Sequence, residues 1–195
     1  MTLTGTILGF RSHLRSFARD REAVAAVEFA IILPFMLLMY IGSVELGDGL
    51  AIDFKVTETA RSVTDLTSQY VSVDTATMSS ILGASSTVVA PYPSSNMVVT
   101  VSEVTTNSQG QGTITWSCSL NGTPHTVGQS LTLPTKLQTP SISLIWGEVT
   151  YPYTPSIGYV VTGTITMYQS TYFYPRMSLS VTPPTSWTAP VSCST

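Results

Sequence analysis

Charge is scarce in this chain. Only 10% of its 195 residues are Asp, Glu, Lys or Arg, against roughly 25% in an average soluble domain. The few basic groups are also badly placed for nucleic acid. Beyond position 23 there are nine acids against Lys55, Arg61, Lys136 and Arg176, so there is no basic face and no nucleic-acid role is expected. Histidine is rarer still. His13 and His125 lie on opposite sides of the long apolar run described below and cannot share a site. His125 is left with at most Cys118 and Cys193 as companions, a weak set for zinc. The G-x-S-x-G, H-E-x-x-H and P-loop patterns are missing, which argues against an enzyme and gives no cofactor a place. Ser and Thr fill the polar positions instead, as suits an exported β-rich domain better than a cytosolic enzyme.

One long apolar run is present. Residues 23–40 read AVAAVEFAIILPFMLLMY, broken only by the carboxylate of Glu28. At 1.5 Å per residue this run is about 27 Å long as a helix. Extended to Val44, it covers the roughly 30 Å hydrocarbon core of a bilayer with some tilt. A cleaved secretory signal would be shorter and end in a small-x-small site; the run here is longer and its sequel, IGSVELGDGL, offers a poor site. A retained anchor is therefore expected. Arg11, Arg15, Arg19 and Arg21 precede it against Asp20 and Glu22, so residues 1–23 read as a basic cytoplasmic leader and the C-terminal part as lying across the membrane. Glu28 costs about 3 kcal/mol at such a place on insertion scales, and a group that costly marks a contact. Pro34, inside the run, predicts a kink or local melting near residues 31–34.

Helical spacing continues past the membrane segment. Val56, Ala60, Val63 and Tyr70 share a face, with Asp53, Glu58, Arg61 and Asp65 on others, which predicts one helix over residues 23–70, its membrane part about 24–44. Residues 71–195 are expected to form the exported domain. Asp74 caps a short helix over 75–82, ended by Gly83. Strands are predicted at 97–105, 113–120, 142–151, 163–169 and 171–181 from their β-branched and aromatic content. Residues 109–112 form a flexible turn, Asn121-Gly122 gives a hairpin signal, 134–140 a loop and 183–193 an irregular tail. The fold class is α+β: a long N-terminal transmembrane helix continuing into an antiparallel sheet. An even cysteine count in an oxidising compartment suggests a Cys118–Cys193 disulfide, two free thiols being the alternative. Aromatic residues gather late, at Trp146, Tyr151, Tyr153, Tyr159, Tyr168, Tyr172, Phe173 and Tyr174; sheet packing and a recognition surface both account for them.

The order of marks in RDREAVAAVEFAIILPFMLLMYIGSVELG resembles the N-terminal segment of TadE-like proteins, minor pilins or pseudopilins of the Tad system that assembles Flp-type type IV pili in bacteria. The shared pattern is a small residue (Ala23), four residues, Glu28-Phe29, an apolar run with an early proline (Pro34), and Glu45-Leu46-Gly47. A weaker likeness lies in VTYPYTP at 149–155 and FYPR at 173–176. The resemblance implies cleavage by a prepilin peptidase between Ala23 and Val24, although the usual residue before the cut is Gly. Glu28 would then be the fifth residue of the mature chain and pair with a Val24 ammonium, its own or a neighbour's. The pair would set the axial register of stacked helices. The implied partners are other pilins and pseudopilins, the prepilin peptidase, the inner-membrane pilus assembly platform and the lipid bilayer. The implied place is the inner membrane, single pass with a cytoplasmic N-terminus and a periplasmic domain, with possible entry into the pilus. A signal-anchored periplasmic binding domain unrelated to a pilus is the competing reading.

Overall fold

The computed structural model describes residues 21–155, 163–186 and 191–195. Arg11, His13, Arg15, Arg19, Asp20 and Tyr159, named above, lie outside the described residues. The chain divides into two compact units, Met1–Gly47 and Asp48–Thr195. A single helix, α1 (Arg21–Ser68), runs through both.

In the first unit the described residues are helical, and from Val24 onward their side chains are exposed or half-buried. Of the kink or local melting expected near residues 31–34, the melting does not occur: α1 is unbroken through Pro34. Proline removes one N–H from the ladder, but its fixed φ is helical and the flanking bonds hold the turn.

The second unit is an antiparallel sheet faced by two helical segments. Its strands are β1 (Val98–Thr106), β2 (Gly112–Leu120), β3 (Ser130–Leu131), β4 (Ser143–Tyr153), β5 (Ile165–Phe173) and β6 (Val191–Ser194). Their order is β3-β2-β1-β4-β5, with β6 also on β2. A β-bulge between Glu103 and Val104 shifts the β1–β2 register. The expected strands at 163–169 and 171–181 are one strand, β5, with no strand in 174–181. Ser170 fits the ladder against Glu148, whereas Pro175 lacks the N–H that a longer ladder needs. The expected irregular tail closes in β6, which pairs with β2. Asn121-Gly122 does not make a two-residue hairpin; β3 returns to β2 only at Gly112 and Thr113. Asn121 takes a positive φ, and its Nδ2 donates to the Met97 carbonyl at 3.1 Å.

The segment of α1 from Asp48 onward lays Ile52, Val56, Ala60 and Val63 onto the sheet face bearing Val99, Val101, Trp116, Cys118, Ile145 and Val149. Fully burying such side chains contributes about 1.5–3 kcal/mol each. Tyr70 does not join this stripe. It is 41% exposed, because α1 ends at Ser68 and the last buried places go to Thr67 and Ser68. Helix α2 (Thr75–Val89) starts at Asp74, whose carboxylate accepts from the Thr77 N–H at 2.7 Å. It does not stop at Gly83, because Ser85 and Val89 continue its buried face. Burial of that face outweighs the roughly 1 kcal/mol that a helical glycine costs.

Candidate functional site

The residues singled out for assembly all lie on α1. Val24, Glu28, Phe29 and Pro34 are exposed; Ala23 lies within the helix. Val24 and Glu28 are four residues apart, so they share a face one turn apart, about 6 Å along the axis. Around them Val27, Phe29, Ile31, Ile32, Phe35, Met36, Leu38 and Met39 are also exposed. An apolar helix bare over this length belongs in lipid or against other helices. Among the described residues, α1 is the one helix long and apolar enough to cross a membrane, and nothing in its most apolar window is buried. It is a candidate single-pass anchor.

A family model covers this same stretch of α1. Residues 23–64 match TadE-like protein. The TadE-like match thus holds Ala23, Val24, Glu28, Phe29, Pro34 and the first buried turns of α1 in the second unit; it ends before any strand. No curated protein and no solved structure matches the chain.

In the second unit, Cys118 and Cys193 are joined by a disulfide. They sit opposite one another in the β2–β6 ladder, so the bond fastens the C-terminal strand to the sheet.

A cluster that the sequence reading did not assemble lies on the other face of the sheet. His125 Nε2 meets Glu148 Oε2 at 2.5 Å, and the Tyr168 hydroxyl donates to Glu148 Oε1 at 2.6 Å. The His125 ring stacks on Trp146 at 4.9 Å, and Trp146 on Tyr172 at 5.9 Å. Burial, then the Glu148 hydrogen bond, pushes the Tyr168 hydroxyl well above its ordinary value; burial, then the charge of Glu148, raises Tyr172. Both glutamate oxygens are engaged, so the cluster ties the segment after β2 and strand β5 to β4. His125, isolated in the sequence, is thus a structural partner of Glu148. The legible signal was the alternation of Trp146 and Glu148 on one face of β4; the pairing with residues 23 and 20 positions away was not.

Glu103 was likewise unmarked in the sequence. It is 2% exposed. It accepts from Trp116 Nε1 at 2.8 Å, Ser143 Oγ at 2.5 Å and the Val181 N–H at 2.9 Å. Three donors satisfy a buried carboxylate, and here they hold residue 181 against β1, β2 and β4. Among the described residues there is no group of His, Cys, Asp and Glu able to hold a metal ion.

Proposed function

We propose that this chain is a TadE-like minor pilin or pseudopilin, a membrane-held structural subunit for assembly of a Tad (Flp) type IV pilus. The observation that carries the reading is Glu28: one acid in an otherwise apolar, fully exposed stretch of α1, inside the segment matched to TadE-like protein. A prepilin peptidase removes residues 1–23 and frees an ammonium at Val24. Glu28 pairs with that ammonium, its own or a neighbour's. Neither charge is tolerable alone in hydrocarbon, and together they fix the axial offset between packed helices. The subunit works by docking against other pilins and the inner-membrane platform, without turnover. The sheet unit lies in the periplasm, where an oxidised Cys118–Cys193 pair is stable.

Two measurements test this. Intact-mass analysis of protein extracted from cells with an active prepilin peptidase should give a chain beginning at Val24. Retention of residues 1–23 together with normal pilus formation would overturn the reading and leave an anchored periplasmic domain. The Glu28→Gln variant should still insert in the membrane but fail to support pili; unaltered pili would remove the register pair.

A further inference from the structure

The two edges of the sheet are built differently. On one side β2 is flanked by two residues of β3 and four of β6, short pieces that leave little open backbone. On the other side β5 offers nine residues, and among the described residues no strand pairs with its outer edge. Along an antiparallel strand every second residue turns both its N–H and its C=O to that edge. Edges of this length are commonly guarded by lysine, proline, an inward charge or a bulge. β5 reads ITMYQSTYF, with neither charge nor proline, and its register against β4 runs without a shift. The neighbouring charges are engaged: Asp53 accepts from Gln169 at 2.9 Å, Glu148 holds Tyr168 and His125, and Arg176 pairs with Asp65. Ile165 is 43% and Tyr168 52% exposed.

The strand is also complementary to itself. Two copies set antiparallel about Gln169 place Ile165 opposite Phe173, Thr166 opposite Tyr172, Met167 opposite Thr171 and Tyr168 opposite Ser170. The first two are β-branched–aromatic pairs, worth roughly 0.2–1 kcal/mol each, and no like charges meet. Odd-numbered residues oppose odd, so each face of the sheet continues across the junction.

We propose that β5 is a homotypic docking edge, to which a second copy adds its own β5 in this register through main-chain hydrogen bonds. This stands on the sheet edge alone and is independent of the pilus reading. The test uses the full chain in its membrane under mild oxidation. In Gln169→Cys the two thiols lie on the two-fold axis with Cβ atoms about 5 Å apart, and a disulfide-linked dimer is expected. Ile165→Cys alone should give none, since its copies are about 27 Å apart, yet it should cross-link to co-expressed Phe173→Cys. Because Gln169→Cys loses the bond to Asp53, Thr166→Cys co-expressed with Tyr172→Cys serves as a second pair. Adding Thr171→Pro to Gln169→Cys should abolish the dimer. Silence of both pairs in chains that retain the Cys118–Cys193 bond would overturn the proposal. So would cross-linking of Ile165→Cys alone to the same extent as Gln169→Cys, the mark of chance collision.

Discussion

At the scale of single residues, one glycine and one glutamate do more than their sequence context announces. A Cβ at Gly147 would lie 1.8 Å from Thr64 Oγ1 and 3.2 Å from the Ala60 carbonyl oxygen, so the absent side chain is what lets α1 approach β4. Gly147→Ala should lower stability by about 1–3 kcal/mol through overpacking, measured as a shift of the denaturant midpoint. Thr64→Ala should recover only part of that loss, because contacts at 3.1 and 3.2 Å lie on atoms it keeps. Glu103→Gln replaces an acceptor oxygen by a donor amide among three donors, and should cost about 1–3 kcal/mol by the same assay. Asp74 gives a pH signature. Its carboxyl lies below the ordinary value of 3.8, chiefly because it accepts from the Thr77 N–H. A depressed folded pKa means the cap's contribution is complete above 3.8 and fades as pH falls through the lower, folded value. Asp74→Asn should therefore flatten the acid limb of the stability curve, while Asp74→Ala weakens the helix at neutral pH as well.

At the scale of elements, local signals and tertiary burial pull in different directions. Gly83 is a fair stop signal, yet α2 continues to Val89 because its buried face does. A Cβ there would meet nothing within 4 Å. Gly83→Ala should accordingly raise stability by about 0.5–1 kcal/mol, seen as a higher thermal midpoint. The existence of α1 was legible because 3.6-residue spacing and a long apolar run are strong local signals. Strands β1, β2 and β4 were legible from their β-branched composition, with ends shifted by one or two residues. The merger of two expected strands into β5 was not, since Ser170 resembles a break until Glu148 stands beside it. Nor was the role of Asn121-Gly122, because a turn signal fixes a bend and not the strand that follows it.

At the scale of the whole molecule, the disulfide is a covalent tie between residues 75 positions apart. In the chain-entropy model, closing a loop of that size contributes about 4 kcal/mol. The double variant Cys118→Ala, Cys193→Ala should lose about that amount in denaturant unfolding, and β6 should show the first loss of amide protection. The sequence by itself determined that a long apolar helix leads a hydroxyl-rich β unit, and that Glu28, Phe29 and Pro34 mark the helix, because these depend on composition and spacing within a few turns. Only the tertiary structure decided that Gly147 admits Thr64, that Glu103 gathers Trp116, Ser143 and Val181, that His125 meets Glu148, and that β5 is left at an edge. Each of those turns on which strand lies beside which, and that order follows from burying one face of the whole sheet at once, not from any stretch of chain.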